Sequence, residues 1–396
     1  MLANLPTTLQ DDFRADLRTV QKTITNGVCS KTAKSKDAHW NVWTEFCHEL
    51  ALDPYLTRTS DPLPFLQVFA QRYRDGRISP SGKPVSASWV STVLCSVGQA
   101  CKRVGAPDPR IAPADGKLDY RLTQQLRCWS KEDPPPRRVR PAPITLVTHI
   151  LRSAFDRPSS PAEQAIADMI CIAFYFLLRP GEYTGTTNDD AAFTLDDVRL
   201  FSGTRRLCLQ NSSVAAIQAA TSVSLYFTTQ KNQRKGDSVA HGRSHHPWCC
   251  PVRAAIRRVL THRAQFESTN TVFTPSVILA SYYHNGKNLR VLAKDITACL
   301  RLAATACFPS TGIPAAEISA RSLRAGGAMA LLCGRIDTDL IKLLGRWQSD
   351  AMIRYLHQDA TPIMRRLAAR MFRNGSYSFL PDVTVPYTDA ADVPTP

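Results

Sequence analysis

The stretch DPPPRRVRPAP, residues 133–143, constrains the fold of this 396-residue chain more than any other feature. Proline has no backbone N–H group and fixes its own φ angle, so neither a helix nor a strand runs through this stretch. The chain is therefore predicted to divide into a domain over residues 31–132 and a larger domain over residues 144–375. Residues 1–30 are predicted to be a leading segment, and the acidic, proline-containing tail 376–396 to be disordered.

Helical patterns dominate the first predicted domain. Trp40, Trp43, Phe46, Cys47 and Leu50 recur at the spacing of one helix face, which predicts an aromatic face packed in a core. Further helices are predicted from LPFLQVFAQRYRDG, SASWVSTVLCSVGQACKRVG and KLDYRLTQQLRCWSKE, in which serine and glycine mark several of the ends. The domain before the linker is thus predicted to be all helical.

The second predicted domain mixes helices with a few strands. Two helices are indicated by ITLVTHILRSAF and PAEQAIADMICIAFYFLLRPGEY. The second is predicted to end at Arg179, because Pro180 and Gly181 interrupt the helical pattern. LDDVRLF, RRLCLQ and SVSLYFTTQKN indicate strands, and helices resume at CPVRAAIRRVLTHRAQF and KDITACLRLAATACF. The predicted fold class is mainly α with a small β-sheet.

The charge of the chain favours a polyanionic partner. Lys and Arg number 49 against 33 Asp and Glu, a formal net charge of +16, and nucleic acid is the leading candidate. Lys131, Arg137, Arg138 and Arg140 form a cationic group in and beside the linker. This group is either a solvated spacer or a contact to a phosphate backbone, and the two interpretations are compatible.

A membrane or secreted location is disfavoured. The most apolar run, residues 167–178, is too short to span a bilayer, and the N-terminal residues do not have the pattern of a secretory signal. The twelve cysteines follow no repeating spacing, which predicts mostly buried thiols in a reducing, intracellular compartment.

A metal site in HGRSHHPWCCP is disfavoured. His241, His245, His246, Cys249 and Cys250 are zinc-type ligands, but adjacent cysteines without paired spacing fit a tetrahedral site poorly. The segment is better interpreted as the exit from a hairpin into the helix that follows, and no metal is predicted.

Two arginines depart from the surrounding patterns. Arg179 follows a strongly apolar run and needs an anion, for which Glu182 three residues on is a structural candidate. Arg324 precedes Gly326 and Gly327, and glycines inside a helix indicate a close approach of another backbone. No carboxylate lies three or four residues from Arg324, although a buried guanidinium needs a partner.

A lysine and a tyrosine complete a set that suits one chemistry. Alone, Lys231 at a strand end is a surface lysine, and Tyr355 in a short helix is a packing residue. Together with Arg179 and Arg324 they supply most of what attack on a phosphodiester needs. That chemistry requires a hydroxyl nucleophile, cationic groups on the non-bridging oxygens and an acid for the leaving oxygen, but no metal or other cofactor.

These residues resemble the tyrosine recombinase, or phage integrase, superfamily. The matching elements are Arg179 with Glu182, the hairpin lysine Lys231, the box Arg321-Ser-Leu-Arg324, the turn LLGRW and Tyr355. The sequence segments SLRAGGA, LGRWQSDA and RYL are most similar to segments of recombinases from Crypton and DIRS-type eukaryotic mobile elements. The resemblance covers roughly residues 31–371, and it implies a helical, SAM-like core-binding domain followed by a mixed α+β catalytic domain.

The resemblance also implies roles and partners. Tyr355 would form a 3′-phosphotyrosyl intermediate in DNA integration or recombination, Arg179 and Arg324 would stabilise the phosphorane, and Lys231 would protonate the leaving oxygen. The implied partner is double-stranded DNA, bound by a homo-tetramer on paired sites, in the nucleus if the host is eukaryotic.

The sequence departs from the family pattern at one position and leaves two assignments open. Arg321 stands where the family has histidine, and a guanidinium cannot accept the phenol proton. For the family's His/Trp position Trp347 is favoured over Arg346, because it has the expected residue type and would pack against or hydrogen-bond the phosphate, and Arg346 would then be an extra anion contact. Lys231 is preferred to Lys235 because it is nearer the strand end. A type IB topoisomerase and a recombinase-derived DNA-binding protein without catalysis are the alternatives.

Overall fold

The computed structural model describes residues 6–28, 30–135, 139–184, 192–228 and 236–347. It divides the chain into two compact units between Pro136 and Arg137, inside the proline-rich stretch. The described chain is mainly helical with a small antiparallel sheet. Of the described helices, none combines the length and the apolar character that a bilayer crossing needs.

The first unit is helical. It contains α1 (Thr7–Asn26), α2 (Ser30–Glu49), α3 (Leu63–Arg74), α4 (Ala87–Arg103) and α5 (Tyr120–Glu132). Ser86 caps α4 by accepting a hydrogen bond from the Trp89 backbone, and Asp119 caps α5 in the same manner. Asp133, the first residue of the linker stretch, accepts from Arg74 and from the Ala87 backbone, so the stretch begins within this unit.

The aromatic face of α2 forms the centre of the first core. Trp43, Phe46 and Cys47 are buried, and Trp43 packs edge to face against Phe69 of α3. The prediction is wrong for Leu50, which is 40% exposed, because α2 ends at Glu49 and the chain turns there. Trp40 is half-buried.

The second unit surrounds one large apolar core with helices and a four-stranded sheet. The unit begins with α6 (Ile144–Phe155), α7 (Pro161–Tyr175) and α8 (Pro180–Tyr183), followed by β1 (Val198–Ser202), β2 (Arg205–Arg206), α9 (Val214–Gln218), β3 (Ser222–Phe227) and β4 (Asp237–Gly242). It continues with α10 (Pro251–Ser268), β5 (Ser281–His284), β6 (Lys287–Arg290), α11 (Ala293–Ala306), α12 (Phe308–Thr311), α13 (Ser322–Cys333) and α14 (Thr338–Gly345). The four-stranded sheet has the order β2-β1-β3-β4 and is antiparallel throughout, with Leu200 opposite Val223 and Leu225 opposite Val239.

The apolar helix before Arg179 ends earlier than predicted. α7 begins at a capping box of Ser160 and Glu163 and ends at Tyr175. Leu177 then takes a left-handed φ of 50°, and Arg179 is extended because the residue before a proline avoids the helical region. Arg179 therefore lies at the start of α8 and not at the end of α7, which corrects the sequence prediction.

The second unit contains a hairpin that the sequence analysis missed. β5 and β6 pair in register, with Asn285 and Gly286 at the turn in left-handed conformations, φ 49° and 72°. Asn-Gly is the preferred pair for such a two-residue turn, so the signal was present in the sequence.

The buried Arg258 of α10 secures this hairpin. It donates to the carbonyl oxygens of Leu279 and Ser281 and lies 3.1 Å from Nε2 of His262. Burial, followed by the positive charge of Arg258, lowers the pKa of His262 to about 3. His262 therefore stays neutral in the folded unit across the mildly acidic range.

His262 should make the second unit sensitive to acid. Its pKa is near 6.5 when unfolded and lower when folded, so only the unfolded chain takes up a proton as pH falls below that value. The expected loss is about 1.4 kcal/mol per pH unit, or about 2 kcal/mol by pH 5. Urea unfolding at pH 7 and pH 5 should show this loss shrinking in His262→Gln. The exposed His284→Gln is the control, and equal pH slopes in wild type and His262→Gln would refute the assignment.

Candidate functional site

Glu182 is the centre of the candidate site. Its Oε1 accepts a hydrogen bond from Nη1 of Arg179 at 2.7 Å, and its Oε2 accepts from the Arg179 backbone at 2.8 Å. Arg179 directly precedes the short helix α8 and Glu182 lies within it, a few residues after the end of α7. Glu182 is buried, whereas the Arg179 side chain keeps 24% of its surface exposed. The pair predicted from the sequence is therefore present, with Arg179 as its outward member.

Arg346 is a second cationic partner of the same carboxylate. Its Nη2 lies 2.8 Å from Oε2 of Glu182, and its guanidinium packs 3.7 Å from the ring centre of Phe227. Arg346 has a left-handed φ of 55° at the end of α14 and is only 8% exposed. Burial lowers its pKa to about 10, a shift that attraction by Glu182 opposes and repulsion by Arg179 assists. Arg346, predicted as an anion contact, thus has Glu182 as its anion.

Arg324 of α13 joins the two segments that carry these residues. It donates to the carbonyl oxygens of Leu177 and Gly345, and its guanidinium lies 4.2 Å from the ring centre of Trp347. Leu177 precedes Arg179 by two residues, and Gly345 directly precedes Arg346. Although no carboxylate is near it in sequence, the 4% exposed Arg324 is satisfied by backbone acceptors. The predicted residues Arg179, Arg324 and Trp347 therefore lie in one cluster.

The two glycines after Arg324 allow other backbone segments to approach α13 closely. A Cβ atom at Gly326 would overlap the carbonyl oxygen of Ala142, and one at Gly327 would overlap that of Phe174. Ala142 is fully buried, and its backbone N–H donates to the Ser322 carbonyl oxygen at 3.0 Å. The expectation of close backbone approach at these glycines is confirmed.

Two further predicted residues lie at the surface. Arg321 is exposed at the start of α13, and its backbone N–H donates to the Ser319 hydroxyl. Arg140 pairs with Glu317 at 2.5 Å, where both side chains are about two-fifths exposed. Arg140 is thus held against the second unit and not extended as a free linker residue.

Several predicted residues lie outside the described part of the chain. These are the proposed nucleophile Tyr355, the hairpin lysines Lys231 and Lys235, the linker arginines Arg137 and Arg138, and the tail 376–396.

Three of the zinc-type residues in HGRSHHPWCCP have structural roles. His246 accepts hydrogen bonds at Nδ1 from the backbones of Trp248 and Cys249, which fixes a turn before α10. Cys249 and Cys250 are buried in the core.

Five of the eleven described cysteines are buried, namely Cys47, Cys101, Cys171, Cys249 and Cys250. The other six described cysteines are not buried, so the expectation of mostly buried thiols is too broad. The described ranges hold no group of three or more His, Cys, Asp or Glu residues placed for a metal.

His241 of β4 belongs to the edge of the site, which the sequence analysis did not anticipate. Its ring lies 4.7 Å from that of Phe176, edge to face, and burial lowers its pKa. Its Nε2 has no hydrogen-bond partner among the described residues. Phe176 also offers its carbonyl oxygen to Arg346 at 3.4 Å, so this residue contacts both side chains. No local sequence signal links His241 to the arginines.

Comparisons with known proteins gave structural likenesses alone. No family model and no curated protein matches the chain. The lambda integrase dimer bound to a COC′ core site is similar at 14% identity and TM-score 0.44, covering 86% of this chain and 94% of that one. The Tn1549 transposon integrase in complex with transposon right end DNA is similar at 14% identity and TM-score 0.42, over 80% and 86% of the two chains. XerH recombinase bound to a palindromic difH substrate shares 12% identity at TM-score 0.44, over 80% and 73%. Likenesses at this level indicate neither an activity nor a substrate for this chain.

Proposed function

We propose that this chain is a site-specific DNA recombinase that cleaves and rejoins DNA through a 3′-phosphotyrosyl intermediate. The observation that carries the proposal is the cluster in which Arg179 and Arg346 both pair with Glu182, while Arg324 holds the adjoining backbone at Leu177 and Gly345. Arg179, with 24% of its side chain exposed, is the member of this cluster that an added anion can reach. A phosphate with planar, charge-assisted contacts to arginine is the anion that this donor geometry suits.

Each residue then has a role in the transfer. The Tyr355 hydroxyl attacks the scissile phosphorus, and the 5′-oxygen departs with a proton from Lys231, or from Lys235. Arg179 and Arg324 donate to the non-bridging oxygens as charge develops in the transition state. A guanidinium has five N–H donors, so one arginine can hold backbone carbonyl oxygens and a phosphate oxygen together. A second strand's 5′-hydroxyl reverses the step and completes strand exchange.

The finer assignment extends the same proposal. The partner is double-stranded DNA, bound by a homo-tetramer on paired sites, with Arg137, Arg138 and Arg140 along the phosphate backbone. The amino-acid sequence around Arg324 and Tyr355 supports a mobile-element recombinase of the Crypton or DIRS type, which would act in the nucleus.

One observation favours a second candidate function. Arg321 occupies the position at which the family's histidine would take the phenol proton, and it is an exposed guanidinium that cannot act as a base. A DNA-binding protein that descends from a recombinase and no longer cleaves DNA would carry such a replacement.

A covalent trapping experiment separates the two candidates. Duplexes bound by the protein would be selected from a random library and rebuilt as nicked suicide substrates, which trap a tyrosyl intermediate. We expect a covalent protein–DNA adduct with wild type and none with Tyr355→Phe, because only the hydroxyl can form the phosphodiester. Tyr120→Phe is the matched control, since Tyr120 is 74% exposed in the first unit.

The possible outcomes are distinct. Binding without an adduct on the selected site would contradict the catalytic proposal and support the DNA-binding alternative. An adduct followed by relaxation of a single supercoiled plasmid, without exchange between two sites, would instead support a type IB topoisomerase.

A further inference from the structure

Two cysteines that the proposed function does not use meet in the core of the second unit. Cys171 lies on α7 and is fully buried, and Cys249 lies two residues before α10 and is 2% exposed. Their thiol groups are joined by a hydrogen bond, although the two residues are far apart in the sequence. Tyr175, one helical turn after Cys171, has its hydroxyl oxygen 3.7 Å from Sγ of Cys249. One face of α7 is therefore packed directly on the Cys249 thiol.

The surroundings of Cys249 favour its thiolate form. Hydrogen bonding by the Cys171 thiol lowers the pKa of Cys249 to about 7, although burial opposes this shift. The side chains of Tyr175 and Thr148 and the positive charge of Arg257 lower this pKa further. Burial raises the pKa of Cys171, so this residue stays a thiol beside its neighbour. Because the thiolate is the nucleophilic form of cysteine, Cys249 is the reactive member of the pair.

Cys249 lies directly beneath the surface of the unit. In the irregular segment 244–248 that precedes it, every residue is exposed or half-buried. The Ser244 hydroxyl donates to the Cys249 carbonyl oxygen at 2.6 Å, and the Cys249 backbone donates to Nδ1 of His246 at 3.0 Å. Opening such a surface segment costs less than unfolding the core, and hydrogen peroxide is little larger than water. This oxidant can therefore reach the Cys249 sulfur, more slowly than it reaches an exposed thiol.

We propose that Cys171 and Cys249 are an oxidisable pair that closes an intramolecular disulfide when the chain meets hydrogen peroxide. The Cys249 sulfur attacks one peroxide oxygen and breaks the O–O bond, which gives a sulfenic acid and, after protonation of the leaving hydroxide, water. The Cys171 sulfur then attacks the sulfenic sulfur, the S–O bond breaks, and a second water leaves. The two thiols lose two electrons and the peroxide gains them. The disulfide ties α7 to the segment before α10.

Cys250 is the alternative partner, because it adjoins Cys249 in the chain and is also buried. Its thiol hydrogen-bonds to the side chain of Ser244, whereas the Cys249 thiol hydrogen-bonds to Cys171. The two neighbouring thiols thus have different partners, which favours the link to α7. This chemistry needs neither DNA nor the cluster around Glu182, so it stands apart from the proposed function.

Peptide mapping of the full chain after treatment with hydrogen peroxide tests the pairing. We expect trypsin to release a cross-linked species that joins the peptide of Cys171 to the peptide of Cys249 and Cys250, and dithiothreitol to separate the two. A bond between Cys249 and Cys250 would lie within one peptide and would overturn the proposal. Cys208, which is exposed in the same unit, is the internal standard for the oxidant. If Cys208 is fully oxidised while Cys171 and Cys249 can still be alkylated after unfolding, the proposal is wrong.

Alanine variants assign the sulfur atoms. Cys171→Ala and Cys249→Ala should each abolish the cross-link, whereas Cys250→Ala, the matched buried control, should retain it. A cross-link that survives in Cys249→Ala and disappears in Cys250→Ala would make Cys250 the partner and overturn the assignment. Urea unfolding shows whether each variant is folded, and the wild-type map decides the proposal if one of them is not.

Discussion

Replacing Glu182 by alanine should lower the free energy of unfolding of the second unit by about 3–5 kcal/mol. The variant leaves the buried Arg346 without the carboxylate that it pairs with at 2.8 Å, and removing one member of a buried ion pair is strongly destabilising. It also removes the acceptor for the side chain and backbone N–H of Arg179. Urea unfolding followed by tryptophan fluorescence would measure the loss.

A matched control is available on the surface of the same unit. Glu317→Ala also removes an ionic partner of an arginine, but Glu317 and Arg140 are each about two-fifths exposed and their pair should contribute less than about 1 kcal/mol. Combining Glu182→Ala with Arg346→Met should recover part of the lost stability, because it removes the unpaired charge while filling a similar volume. Similar losses in Glu182→Ala and Glu317→Ala would show that burial of the Arg346 pair is not what stabilises the site.

Replacing Gly326 by alanine should cost about 3 kcal/mol of stability, at the upper end of the range for overpacked positions. The added Cβ would overlap the backbone of Ala142, which cannot move aside as a flexible side chain does. Alanine is the better helix former by about 1 kcal/mol, so any measured loss understates the steric effect. Thermal and urea unfolding would give the loss, and covalent trapping on DNA would show whether the displaced α13 still presents Arg324.

Gly181→Ala is the control for this substitution. Gly181 also lies in a helix, but a Cβ atom there meets no other atom within 4 Å and the backbone is not in the left-handed region. Its replacement should be neutral or slightly stabilising. If Gly326→Ala is equally well tolerated, the close approach of Ala142 to α13 is not tight in solution.

The predictions from sequence succeed where a pattern is local. The aromatic face of α2, the limits of α4 and the pair of Arg179 and Glu182 all rest on residues within a few positions of one another. The same is true of the glycines in α13, whose cost in a helix indicated a backbone nearby. Asn285 and Gly286 are an equally local signal, because Asn-Gly is the preferred pair for the two-residue turn that they form.

Long-range geometry explains what sequence reasoning could not supply. Arg346 lies 164 positions after Glu182 in the sequence, yet the two side chains are hydrogen-bonded in the fold. The left-handed backbone of Arg346 directs its side chain to a carboxylate that also pairs with Arg179. The end of α7 at Tyr175 was equally hidden, because the apolar run continues without a break through Leu178. The helix ends there because the residue before Pro180 avoids the helical region, and the Leu177 carbonyl oxygen is then available to accept a hydrogen bond from Arg324.

The two carbonyl bonds of Arg324 have a consequence for biosynthesis. They join Leu177 to Gly345, so the site closes only after nearly the whole described part of the second unit has left the ribosome. During translation α7 and α8 emerge well before their partners on α13 and α14, and the first unit can fold in the meantime. The contact between Arg179 and Glu182 needs only residues that emerge together, whereas the full arginine cluster needs Arg346 and so forms only near the end of synthesis.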